Sequence, residues 1–357
     1  MNVPEKILAW YLSCQRDLPW RKTSDPYRIW LSEIILQQTR VSQGTAYYHK
    51  FVERFENVQA LAEASEDEVL KLWQGLGYYS RARNLHSAAR FIVRELGGRF
   101  PSDYEGLLRL KGIGKYTAAA IASIAYREPV PAVDGNVYRV LSRIYGISLS
   151  IDSTEGKKEF ERIAHSIMNR DRPDLHNQAM MEFGALQCVP KKPHCEACPV
   201  SEDCFARRHG RVDELPVKQG KKELTHRFFH YLIIQDQGHV WIHQRTTQDI
   251  WKNLYQFPLI ETPSCVSMEQ LKKHDDWKKL FSYHRIAMEK ISSEKIHILS
   301  HQKIHAFFYF LLLVRQNPRN DFLSTHFIRM PLEELHRLAV PRLIETALRE
   351  QIGRAHV

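Results

Sequence analysis

An all-α first half closed by a four-cysteine loop, followed by an α+β second half, is the architecture that the sequence predicts. Three observations carry it. Up to about residue 210, apolar residues recur at three- and four-residue steps, as in Ile7, Leu8 and Tyr11, in Leu107, Leu108 and Leu110, and in Ile163 and Ile167. Residues 212–224 (VDELPVKQGKKEL) then lose that periodicity and gain lysine, glycine and proline, the composition of an interdomain linker. Beyond them the pattern turns to short β-type runs. The expected boundaries are a helical domain at 1–211, a linker at 212–224 and an α+β domain at 225–351.

The helices are delimited by breakers at Asp25-Pro26, Gly97-Gly98, Pro101, Pro129, Pro131 and Arg172-Pro173. One helix is expected from about Pro26 to Gln38, and a small-residue helix over Thr117 to Ala125. A third should begin near Gly135 or Asn136, directly after Asp134. In the second half, Phe228 to Gln235 and Val240 to Arg245 flank Asp236-Gln237-Gly238, a β-hairpin pattern. Further strands are expected at Ile296 to Leu299 and Ala306 to Val314, with helices near Met268 to Leu280 and Leu343 to Glu350. Residues 352–357 read as an adapter-derived tail and are set aside from functional reasoning.

At 357 residues the chain is long enough for two cores, and its formal charge of +10 favours a polyanionic partner. Cationic residues gather around the cysteine loop: Lys191, Lys192 and His194 within it, Arg207, Arg208 and Arg211 after it. Only Cys14 and Cys265 lie outside the quartet, so no disulfide framework can be drawn and a reducing compartment is expected. The N-terminal residues lack a signal pattern, and the Ala306 to Val314 run is too short to span a bilayer. A soluble, cytoplasmic protein without membrane contact is the expectation.

The quartet itself is Cys188, Cys195, Cys198 and Cys204, spaced Cys-x6-Cys-x2-Cys-x5-Cys. One short loop thereby brings four thiolates around a single inorganic centre. A zinc knuckle is one reading, but the spacing differs from the paired Cys-x2-Cys clamps of zinc and points first to a [4Fe-4S] cluster.

Two acids attract attention. Glu33 sits on a largely apolar helix face with Ile29, Trp30, Leu36 and Gln37 at three- and four-residue steps, so its carboxyl is expected to be desolvated and biased towards protonation. Such an acid is either structural, tied to an amide or arginine, or functional. Asp134 precedes a helix start, which is either a plain N-cap or a device that keeps a working carboxylate ionised. Together they form a protonated and ionised pair. In Leu110-Lys111-Gly112-Ile113-Gly114-Lys115-Tyr116-Thr117-Ala118, two glycines allow close approach of the backbone to a phosphate just before a helix start.

That nonapeptide resembles a helix-hairpin-helix motif, spanning about residues 110–126. With Val133-Asp134-Gly135-Asn136-Val137 and the cysteine loop, it resembles the endonuclease III superfamily of DNA glycosylases. Trp30 to Thr39 (WLSEIILQQT) and Gly75-Leu76-Gly77-Tyr78-Tyr79-Ser80-Arg81 further resemble the MutY adenine DNA glycosylases, and the likeness runs to about residue 351.

The resemblance implies a helix-hairpin-helix glycosylase with a [4Fe-4S] loop followed by a Nudix-like domain. It would remove adenine mispaired with 8-oxoguanine or guanine from double-stranded DNA, acting as a monomer in the bacterial cytosol near the nucleoid. Glu33 would protonate the base and activate water, and Asp134 would stabilise the oxocarbenium-like sugar. Tyr116 occupies the position where bifunctional relatives place a Schiff-base lysine, so it implies a monofunctional enzyme and would support Asp134. Gln38 and Tyr78 would wedge into the base stack, while Gly112, Gly114 and Lys115 hold phosphate. Trp20, Arg21, Leu36 and Gln178 would form the adenine pocket, with Glu182 either meeting DNA or anchoring its helix.

The Nudix-like half lacks the glutamate-rich helix of a hydrolase after Pro258. Its Leu299-Ser300-His301 departs from the family's Phe-Ser-His, leaving Ser300 and His301 to read 8-oxoguanine without the aromatic, or to serve only as a strand-end turn. The rivals are an endonuclease III-type glycosylase and lyase, and a non-catalytic iron-sulfur DNA-binding protein.

Overall fold

The computed structural model describes residues 1–220, 223–282, 284–315 and 322–352. Residues 353–357 of the tail expected at 352–357 lie outside them, as do Lys221 and Lys222, while Ile352 closes the Arg342–Ile352 helix. The chain divides into two units, Met1–Ala64 with Arg83–Gly220, and Ser65–Ala82 with the chain from Lys221 onward.

The first unit is all-α among its described residues, as expected. Its Pro26–Leu36 helix starts on Asp25, whose side chain accepts from the Tyr27 amide, with Pro26 pre-set for the first turn. Residues Tyr27 and Ile29 to Ile35 are all buried, so this helix is enclosed on every side rather than apolar along one stripe. It ends before the expected Gln38, which adopts a left-handed φ of 58°. The hairpin lies between Tyr104–Leu108 and Lys115–Tyr126. Gly112 needs its glycine there: φ is 83°, and a Cβ would stand 2.6 Å from the Asn84 Cβ.

The Gly135–Tyr145 helix packs with Val3–Cys14, Thr154–Ser166 and Pro173–Leu186 around Val140, Leu141, Phe160 and Phe183, each at most 1% exposed. Burial of each of these side chains contributes roughly 1.5–3 kcal/mol, and Cys188, Cys198 and Cys204 lean on the same cluster. The residues expected as a linker begin as an ordered strap. Arg143 Nε donates to the carbonyls of Val212 and Leu215, and Leu215 is buried.

The second unit is built on a mixed sheet. Its strands are β1 (Thr225–Asp236), β2 (His239–Gln244), β3 (Tyr255–Gln256), β4 (Leu259–Thr262), β5 (Arg285–Ile291), β6 (Lys295–Ile298), β7 (Gln302–Arg315) and β8 (Ile328–Pro331). Their main order is β3-β2-β1-β7-β5, with β4 on β1, β6 on β7 and β8 on β2. β1 and β2 form the expected hairpin, whereas β1 and β7 run parallel. The helix expected over Met268 to Leu280 is two, Met268–Lys273 and Asp275–Phe281. His274 breaks it by turning extended, and its Nδ1 accepts from the Asp276 amide. The Glu66–Trp73 helix belongs to this unit although it lies early in the chain.

Candidate active site

In the first unit, a cavity of about 410 Å³ gathers Glu33, Asp134 and Tyr116 with Trp20, Arg21, Leu36, Gln38 and Gln178. Glu33 comes from the middle of the buried Pro26–Leu36 helix, which leaves it 9% exposed. Burial pushes its carboxyl up to about 7, against a hydrogen bond with the Tyr116 hydroxyl that favours the ionised form, and with the Asp134 charge adding to the rise. The protonated form is thereby favoured far more than in an exposed glutamate.

Asp134 caps the Gly135–Tyr145 helix. Its Oδ1 accepts from the amides of Asn136 (2.9 Å) and Val137 (2.8 Å), and its Oδ2 from Asn136 Nδ2 at 2.8 Å. The helix start was expected to hold this acid ionised, yet burial outweighs these donors and raises its pKa. Its three hydrogen bonds still favour the carboxylate. The Tyr116 hydroxyl, expected to support Asp134, is hydrogen-bonded to Glu33 and to Met181 Sδ at 3.1 Å, and Asn136 supplies a side-chain donor to Asp134. Burial holds that phenol well above its ordinary pKa, so it acts as a neutral donor.

The pocket walls are partly committed to one another. Glu182 is buried and takes paired hydrogen bonds from Arg21 (2.9 and 2.8 Å) and from Arg16 Nε (2.8 Å) and Nη2. Burial alone would raise Glu182, but the two guanidiniums hold it at about 2. Glu182 therefore anchors, and it fixes Arg21 at the cavity edge. Trp20 is buried edge-on against Tyr48. Gln178 accepts from Tyr11 at 3.3 Å and donates to the Asp174 carbonyl. Arg16, Asn136 and Met181 also line the cavity and escaped the sequence reading. Asn136 had a signal, since it stands two residues after a capping acid.

Lys115 lies outside this cavity and pairs with Glu161 at 2.8 Å on the surface. Gly114 is exposed, and no side chain caps the helix it starts, which leaves first-turn amides facing outward. Gln38 and Tyr78, the expected wedges, share a trait rare outside glycine: left-handed backbone, with φ of 58° and 47°. Tyr78 is half exposed and belongs to the second unit. There its hydroxyl lies 2.9 Å from Ser300 Oγ. Ser300 and His301 are both exposed in the turn between β6 and β7, and the His301 carbonyl accepts from the Thr225 amide.

The four cysteines are free and line one cavity beside Arg143, whose Nη1 lies 3.5 Å from Cys188 Sγ. Four unpaired thiols with a cation beside them fit the donor set of an iron-sulfur cluster. Burial raises Cys188 and Cys198, the latter to about 11, which a metal centre would reverse by taking the thiolates.

The fold and site define a base excision DNA repair protein. Residues 31–169 match the family described as "HhH-GPD superfamily base excision DNA repair protein", residues 188–204 the "Iron-sulfur binding domain of endonuclease III", and residues 229–350 the "NUDIX domain". The iron-sulfur match sets the zinc alternative aside. An adenine DNA glycosylase of Buchnera aphidicola subsp. Acyrthosiphon pisum is 38% identical over 253 residues, covering 71% of this chain and 72% of that protein. One from Buchnera aphidicola subsp. Schizaphis graminum is 34% identical and covers 85% and 82%. The human adenine DNA glycosylase is 43% identical over 58% of this chain and 40% of its own length. Among solved structures, a thermostable thymine-DNA glycosylase superposes with a TM-score of 0.54 at 31% identity, over 58% of this chain and 95% of that one. The chain belongs to the adenine DNA glycosylase family.

Proposed function

We propose that this protein hydrolyses the N-glycosidic bond of adenine mispaired with 8-oxoguanine or guanine in DNA, without cutting the strand. The observation that carries the reading is Glu33, a buried acid raised to about 7 in the same cavity as Asp134, whose carboxylate caps a helix. Adenine is a poor anionic leaving group but departs readily once N7 is protonated. Glu33 delivers that proton, and its carboxylate then activates the attacking water. Asp134 faces the positive charge that develops on the sugar, and Asn136 keeps its oxygens aimed. Transient bonding of Asp134 to the sugar gives overall retention, as in a retaining glycosidase.

Tyr116 cannot form a Schiff base, which argues for a monofunctional enzyme. Trp20, Leu36 and Gln178 enclose the extruded adenine while Gln38 and Tyr78 fill the gap it leaves. Gly112, Gly114 and Lys115 grip the phosphodiester through the hairpin. Ser300 and His301 donate to 8-oxoguanine on the opposite strand. Cys188, Cys195, Cys198 and Cys204 hold a [4Fe-4S] cluster that clasps the basic loop to the Gly135–Tyr145 helix and shapes a phosphate-binding edge. The protein acts as a monomer in the cytoplasm. Among the described residues no helix is long and apolar enough to cross a membrane.

Single-turnover release of adenine from duplexes that differ only in the base opposite it tests this reading. Faster release opposite 8-oxoguanine than opposite guanine, and none from Glu33→Gln, is the expected result. Equal release opposite all four ordinary bases would overturn it.

A further inference from the structure

The Glu66–Trp73 helix and the turn that carries Tyr78 are fastened to the second unit at several points. In the helix's first turn, Asn253 Nδ2 donates to Glu66, Gln244 Nε2 to Asp67 Oδ1 at 3.0 Å, and the Tyr255 hydroxyl to Asp67 Oδ2 at 3.2 Å. In its last turn, Lys71 Nζ donates to the Leu338 carbonyl at 3.0 Å and to Gln74 Oε1 at 3.1 Å, and that oxygen also accepts from the Val340 amide. The Tyr79 hydroxyl donates to the Val340 carbonyl at 3.4 Å, and one residue earlier Tyr78 meets Ser300. Val69, Leu70 and Trp73 are buried along the same helix.

We infer that this segment is a positioning arm: Glu66, Asp67 and Lys71 lock the backbone that holds Tyr78 to the sheet that presents Ser300, so the base opposite adenine governs wedge insertion. The inference rests on the proposed roles of Tyr78 as wedge and Ser300 as lesion reader. Its physical basis is the spacing of the contacts. They come from β2, β3, the Asn253 turn and the 338–340 segment between the Leu332–Arg337 turn of helix and the Arg342–Ile352 helix, so the arm has little freedom to tilt without breaking several at once. An acidic first turn of Glu66, Asp67 and Glu68 is unsuited to a DNA phosphate, and burial lowers the Lys71 pKa, so this lysine serves the protein rather than the duplex.

A purely helix-stabilising role for the acids is the competing account, since Ser65 caps this helix and acids suit its N-terminus. The two accounts differ in what they do to pair selectivity. An arm that sets the wedge changes the preference for 8-oxoguanine, whereas a weakened helix lowers stability and both rates together.

The test is single-turnover adenine release opposite 8-oxoguanine and opposite guanine, with a thermal melt, for wild type, Ser300→Ala, Lys71→Met, Tyr255→Phe and the Glu66→Gln, Asp67→Asn double variant. The double variant should lose about tenfold in 8-oxoguanine preference while its rate opposite guanine holds within about twofold. Tyr255→Phe removes one hydroxyl without risk to folding and should lose about threefold. Unchanged preference in folded Lys71→Met and Tyr255→Phe, or equal loss of both rates, would overturn the arm. If wild type shows no preference, or Ser300→Ala keeps it in full, the lesion-reader assignment fails instead.

Discussion

Arg139 Nε donates to the main-chain oxygen of Cys188 at 2.7 Å. The same guanidinium reaches Asn136 Oδ1 at 2.9 Å and the Gly184 carbonyl through Nη2, and Asn136 in turn holds Asp134. One buried cation therefore ties the first residue of the cysteine loop to the Asp134 carboxylate. A slackened loop should be felt three hydrogen bonds away, at Asp134.

Arg139→Met should test that tie. It leaves two buried carbonyls without a donor, a cost of about 2–4 kcal/mol in urea unfolding. Iron retained per chain and the rate of adenine release should fall together. Normal release from a destabilised, iron-poor variant would show that the loop and Asp134 are independent.

Glu33→Gln should be more stable than wild type and inactive. A folded-state pKa of about 7 against 4.5 in the open chain means the folded state binds the extra proton between those values. Stability from this group is thus largest below pH 4.5, declines as pH rises through the window, and reaches its full penalty above about 7. At about 1.4 kcal/mol per pKa unit the penalty is about 3 kcal/mol, and glutamine removes it. The stability gain at pH 8 should vanish at pH 4, while adenine release in wild type should fall as pH rises past 7. Denaturant melts and pH–rate profiles check both limbs.

What was legible in the sequence follows from how local each signal is. The Asp134 cap, the hairpin glycines and the β1–β2 hairpin are written within a few residues and were readable. β5 was not, because six of its seven residues are exposed and leave no alternating pattern. The break at His274 was hidden because no glycine or proline marks it, and apolar residues stand on both sides, at Leu271 and at Trp277 and Leu280. In the site, the acids could be found one at a time, but the Tyr116 contact with Met181 and the Arg16–Glu182 pair join residues 65 and 166 positions apart. No short-range pattern encodes such pairs. The membership of Ser65–Ala82 in the second unit is hidden for the same reason.

Tyr116→Lys should convert the chemistry. An amine at this place stands beside Glu33 in the cavity, where burial disfavours its charged form and frees the nucleophile. Borohydride should then trap a covalent adduct on mispair-containing DNA in higher yield than wild type gives. Tyr116→Phe serves as the control: it removes the hydroxyl that favours ionised Glu33, so the basic limb of the pH–rate profile should move to higher pH without any gain in adduct.

Gln38→Gly separates backbone strain from wedge chemistry. A left-handed residue other than glycine costs about 1–2 kcal/mol, and glycine there relieves it while adding freedom to the unfolded chain. The two effects nearly cancel, so the melting free energy should change by less than about 1 kcal/mol. In the proposed reading, however, the side chain is what fills the stack when adenine leaves it. Adenine release from a duplex should therefore slow by about tenfold or more, since a few kcal/mol of lost stacking is no longer replaced. The same adenine placed opposite an abasic gap, where unstacking costs less, should show a smaller deficit. Fluorescence of 2-aminopurine at the target position reports the extrusion directly. Equal losses on both duplexes would assign Gln38 to the chemistry of the cavity that it lines rather than to opening the helix.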